Sequence, residues 1–127
     1  MRIGIVCYPT YGGSGVVATE LGKELAKEGH DVHMITYDLP VRFDHHNPNL
    51  HYHEVVLSKY ALFDYQPYEL QLSSKIVDVA IHENLDLLHV HYAIPHASAA
   101  YMAREILKTK GRNVPFITTL HLSLIHI

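Results

Sequence analysis

The chain has 127 residues, room for one domain with a real core and too little for two. Apolar residues make up 48% and charged residues 18%, the composition of a soluble globular protein. A net charge of −3 leaves no basic stripe for a nucleic-acid backbone, no apolar run reaches a membrane span, and the single Cys7 excludes an internal disulfide framework. Met1 leads directly into a strand-like run without a signal-peptide cleavage site, so the cytoplasm is the expected compartment.

In chain order, Ile3 to Tyr8 reads as a strand buried on both faces. The loop Pro9 to Gly13 leads to a helix from about Ser14 to Glu28, with an inner stripe of Val17, Leu21 and Leu25 and Gly29 just past its end. Asp31 to Tyr37 is a second strand. Leu50 to Val56 is a third, and its mixed faces place it nearer the sheet edge. A helix from about Tyr68 to Glu83 buries Leu72, Ile76, Val79 and Ala80. Leu85 to His91 is a fourth strand. Pro95 stands where the first residue of a helix belongs, the stripe Ala99, Met102, Ala103 and Ile106 continues it, and Gly111 stops it. Val114 to Leu120 is a fifth strand.

This alternation predicts a doubly wound, Rossmann-like parallel sheet. If the strand order reverses between the first and fourth strands, a ligand crevice lies outside the carboxyl ends there. The loops after strands one, four and five then face one site. Gly12, Gly13, Ser14 and Gly15 open a helix, where free N–H groups and the dipole favour a phosphate or carboxylate; a tight turn capped by Ser14 is the structural alternative. Gly13 to Ala18 also fits G-x-G-x-x-G/A with Asp38 after strand two, which keeps a nicotinamide-binding enzyme open. The intervening Pro9 to Gly12 argues for a different ligand pose.

Twelve histidines raise the possibility of a metal-binding module. His51-x-His53 and His89-x-His91 each share a strand face, yet no complete zinc-motif spacing is present. His30, His33, His45, His46, His51, His53 and His82 therefore read as hydrogen-bonded surface or half-buried residues, and no metal is expected. His91, His96 and His121 fall near the crevice. Cys7 reads as a small buried hydrophobe and the tyrosines mostly as packing, with Tyr92 alone at the crevice rim.

Cys7 to Gly22, Ile35 to Pro40, Asp86 to Ala97 and Thr118 to His121 together resemble the N-acetyl-α-D-glucosaminyl L-malate synthase family, the retaining glycosyltransferases that begin bacillithiol synthesis. The resemblance runs from Met1 to His121 and implies a GT-B enzyme of two Rossmann-like domains. It implies GlcNAc transfer from UDP-GlcNAc to L-malate without a metal cofactor. By that resemblance Gly13 and Ser14 lie beside the diphosphate and acceptor, Tyr92 and Thr119 in the malate pocket, and His121 near the transferred sugar. His121 is thus the candidate catalytic residue, and the parent enzyme could be a homo-oligomer.

The family continues after this histidine with Gly-Thr-Asp, whereas Leu122-Ser123-Leu124 stands here. Residues 1–121 are accordingly expected to be a partial, acceptor-side N-terminal domain without its donor-binding partner. Residues 122–127 match a translated library-adaptor sequence and are expected to be a non-native tail. The fragment alone is expected to be inactive.

Overall fold

The computed structural model describes residues 1–9, 13–40, 42–56 and 68–120. Its elements are β1 (Arg2–Val6), α1 (Ser14–Lys27), β2 (Asp31–Thr36), β3 (Leu50–Glu54), α2 (Tyr68–His82), β4 (Leu87–His91), a π-type turn (Ala93–Ala97), α3 (Ser98–Thr109) and β5 (Phe116–Thr119). The sheet is parallel throughout, in the order β3-β2-β1-β4-β5. Its order reverses between β1 and β4, the condition for a crevice there, and β3 is an edge strand, as its mixed faces predict. β1, β2, β3 and β5 end one or two residues before their apolar runs, because Cys7, Tyr37, Val56 and Leu120 continue the apolar pattern beyond the paired ladder, and β4 and β5 start two residues later than their runs.

The two faces hold separate apolar clusters. Ile3, Ile5, Cys7, Val32, Met34 and Leu50 meet Ala18 and Ala26 of α1 on one side. Val6, Ile35, Leu88 and Val90 meet Leu72, Ile76 and Val79 of α2 and Ala99, Ala103 and Leu107 of α3 on the other. Alternate strand residues point to opposite faces, so each strand must be apolar on both. This is a doubly wound α/β sheet.

Three local expectations are corrected. The buried side of α1 carries Gly15, Ala18, Thr19, Gly22 and Ala26, while Val17 is 52% exposed and Leu21 and Leu25 are only half-buried. Small residues win because the helix lies close to the sheet: a β-carbon on Gly22 would sit 3.0 Å from Met34 Sδ and 3.3 Å from Ile5 Cδ1. Pro95 does not open α3. Ile94 before it is extended (φ −128°, ψ 127°), the conformation that a following proline favours, and regular helix starts only at Ser98. The α3 stripe is correspondingly turned, burying Ala100 and Leu107 and leaving Ile106 exposed.

Candidate functional site at the carboxyl ends of the strands

The carboxyl ends of β1, β4 and β5 converge where the strand order reverses. Tyr8, two residues past β1, packs edge-on against Tyr92 just past β4, with ring centroids 5.6 Å apart. It also lies 4.4 Å from the His96 ring. The Tyr92 N–H donates to the Thr119 carbonyl at the end of β5, 3.0 Å away. Three loops that are far apart in sequence are thereby tied into one crevice wall, in the place a doubly wound sheet reserves for ligands.

More aromatic residues stand here than the sequence marks. Tyr37 and Tyr68 join Tyr8 in a cluster of ring contacts, and His96 is fully buried beneath it. His96 Nδ1 is 2.6 Å from the His91 carbonyl oxygen, and a carbonyl can only accept, so Nδ1 carries the proton. Its Nε2 then accepts the Tyr68 hydroxyl proton across 3.2 Å. Burial pushes the His96 pKa below the ordinary histidine range, opposed by the hydrogen bond to His91. Burial, reinforced by Tyr37 and Tyr92, raises the Tyr8 phenol, and burial raises Tyr68 further. Tyr8 and Tyr68 therefore present neutral phenols around a neutral His96 imidazole, uncharged groups that can hydrogen-bond. The available signal was positional, since Tyr8 and Tyr37 lie within two residues of the carboxyl ends of β1 and β2.

Gly13 precedes α1 at φ 60° and ψ −134°, with nothing within 4 Å of the position a β-carbon would take. Backbone conformation rather than crowding selects glycine there. Ser14 is the first residue of α1, and Gly15 is buried within its first turn. The Gly15 carbonyl accepts the Thr19 hydroxyl at 2.8 Å. α1 carries no acidic residue in its first turn, so no side chain there competes with an anion for the dipole.

Tyr92 is half-buried and held at φ 82°, a region that side-chain-bearing residues rarely adopt. Thr119 lies across the ladder from His91, and its Oγ1 is 2.6 Å from His89 Nε2. Gly12 and His121 lie outside the described residues, as do residues 122–127. Backbone hydrogen bonding thus ties Tyr92 to Thr119, while Gly13 and Ser14 stand at the start of α1. Asp38, the acid of the nicotinamide alternative, is exposed and accepts the Leu39 N–H at 2.8 Å. That hydrogen bond gives its carboxylate a local structural use.

Two cavities lie away from this crevice. One of about 600 Å³ is bounded by Glu54 at the end of β3, by Val56 beyond it and by Leu70, Ser74 and Lys75 of α2. The other, about 260 Å³, separates Leu70 and Val77 of α2 from Met102 and Ile106 of α3. Neither contains a candidate residue from the strand-end loops. The crevice is the candidate site because topology and side-chain chemistry coincide there.

A family model described as Glycosyltransferase Family 4 matches residues 11–126. The N-acetyl-alpha-D-glucosaminyl L-malate synthase of Bacillus anthracis is 54% identical over 121 residues, which are 95% of this chain and 31% of that protein. The chain thus spans about a third of the length of the curated relative it matches. A glycosyltransferase structure from Rickettsia africae superposes with a TM-score of 0.60 at 21% identity, covering 92% of this chain and 28% of that one. The C-terminal domain of the PF1911 hydrogenase from Pyrococcus furiosus gives 0.56 at 18% identity, covering 95% and 90% respectively. At such identities these two structures speak for the fold alone.

Proposed function

Because the chain belongs to glycosyltransferase family 4, we propose that it is the acceptor-side part of a retaining enzyme transferring GlcNAc from UDP-GlcNAc to L-malate, the opening step of bacillithiol synthesis. The observation that carries this reading is 54% identity, sustained over 95% of the chain, to an N-acetyl-alpha-D-glucosaminyl L-malate synthase. The position of the aromatic crevice, reached independently from strand order, supports it.

In this reading the glycosidic C1–O bond to UDP breaks while a C1–O bond to the malate hydroxyl forms on the same face of the sugar. The malate proton passes to the departing diphosphate, so no side-chain nucleophile is required. Gly12, Gly13, Ser14 and Gly15 hold the diphosphate and acceptor with backbone N–H groups and the α1 dipole. Tyr92 and Thr119 contact malate, and His121 lies beside the transferred sugar. The transfer itself uses no metal. In this reading the enzyme works in the cytoplasm. Among the described residues no helix is long and apolar enough to cross a membrane.

The reading is tested in the full-length parent by measuring UDP release with L-malate as acceptor. Tyr92→Phe removes one hydroxyl while keeping the ring against Tyr8. It should lower kcat/KM for malate about tenfold or more, since a hydrogen bond to a charged group contributes about 1.5–3 kcal/mol. An unchanged kcat and KM would remove Tyr92 from the pocket. Saturable NAD binding that is lost on Asp38→Ala would instead favour the nicotinamide enzyme.

A further inference from the structure

At the opposite end of the sheet, β2 and β3 bring imidazoles and carboxylates together. Asp31 and His33 are two apart on β2 and share a face, and His51 and His53 do the same on β3. The parallel register sets His33 directly beside His51. Asp31 Oδ2 lies 3.0 Å from His33 Nε2, and Oδ1 lies 2.6 Å from His51 Nε2. One ligand atom from each of the three residues falls within 4.8 Å of the others. We propose that Asp31, His33 and His51 bind one divalent transition-metal ion of the zinc class.

The donor set selects that class. Two imidazoles and a carboxylate suit zinc and its neighbours, whereas magnesium and calcium favour oxygen ligands. Tetrahedral zinc with bonds of about 2.0–2.1 Å sets neighbouring ligand atoms about 3.3 Å apart. The upper limit of 4.8 Å on the three ligand atoms leaves room for that separation, and the 3.0 Å and 2.6 Å contacts are made by the two different oxygens of Asp31. His33 is 1% exposed, which fixes its ring, while the half-buried His51 and Asp31 leave an entry path.

A supporting outer partner is also present. His33 Nδ1 is 2.8 Å from His53 Nε2. When Nε2 of His33 holds the ion, its Nδ1–H donates to His53, as metal-bound histidines commonly do to an outer partner. The ion would cross-link β2 to the edge strand β3, far from the carboxyl-end crevice. No sequence spacing announces this site, because its ligands come from two strands that only the sheet register aligns. His33, His53 and Glu83 form an overlapping set with one close contact, against two in the proposed set.

Titrating the metal-free chain with Co²⁺, followed by visible absorption and displacement with Zn²⁺, tests the site. One ion per chain is expected, with a raised Tm. Asp31→Asn or the more exposed His51→Ala should weaken binding at least tenfold, while the exposed His46→Ala leaves it unchanged. Saturable uptake absent at tens of micromolar metal, or uptake undiminished in His51→Ala, would overturn the proposal. So would loss of binding on Glu83→Gln with His51→Ala unaffected, which would put the ion on the overlapping set. In the parent enzyme, UDP release that persists in chelator separates this site from the transfer reaction.

Discussion

Individual residues divide by whether the fold uses their chemistry or suppresses it. Cys7 is suppressed: it is fully buried beneath α1, and burial pushes its thiol up to about 12. Without thiolate it is a poor nucleophile. A thiol-disulfide reagent should therefore label Cys7 only at the rate of unfolding, and completely in denaturant; fast labelling of the native chain would contradict its placement. His96 is also held neutral. Its native pKa lies below the unfolded value of about 6.5, so acidification protonates the unfolded state first and stability falls as pH drops below the ordinary histidine range. Denaturant unfolding at pH 7.5 and 5.5 should show a smaller loss of stability in His96→Asn than in the unaltered chain. An equal loss would mean that His96 titrates normally. Tyr92 differs from both, because it combines an uncommon backbone conformation with backbone hydrogen bonds to Thr119 and Ala97, and such conformations often accompany functional sites.

At the scale of elements, α1 makes the sharpest demand. Its contact face is built from glycines and alanines, so shape rather than apolar bulk sets its distance from β1 and β2. Gly22→Val should destabilise the chain by about 1–3 kcal/mol, because added methyl groups must displace Met34 and Ile5. Urea unfolding measures this, and an unchanged midpoint would show that the helix can move outward freely. The same contact explains where sequence reading succeeds and fails. The α2 stripe Leu72, Ile76, Val79 and Ala80 was legible because large apolar side chains repeat at helical spacing and all are buried. The α1 stripe was not, because a hydrophobic pattern weights Val17 over Gly22 while the sheet selects the smaller residue. Pro95 misled for a related reason: its effect on Ile94 outweighed its suitability for a helix start.

For the whole molecule, strand order does most of the functional work. The alternation of elements predicts a parallel α/β sheet, and a reversal of order between the first and fourth strands, once present, brings the loop after β4 beside β5, where Tyr92 meets Thr119. The tyrosine cluster around Tyr8 was less legible, since a tyrosine at a strand end looks the same in sequence whether it packs or lines a crevice. The Asp31–His33–His51 group was hidden for the opposite reason, as its members carry chemistry only once two strands are in register. One crevice wall is not a transferase, because stabilising a departing diphosphate takes hydrogen-bond donors on more than one side. The most direct test measures malate-dependent UDP release, with the anomeric configuration of the product, for the full-length parent and the 127-residue chain side by side. The parent should yield α-linked GlcNAc-malate and the chain alone no turnover. Turnover by the chain alone, or a parent that ignores L-malate and glycosylates another acceptor, would contradict the account.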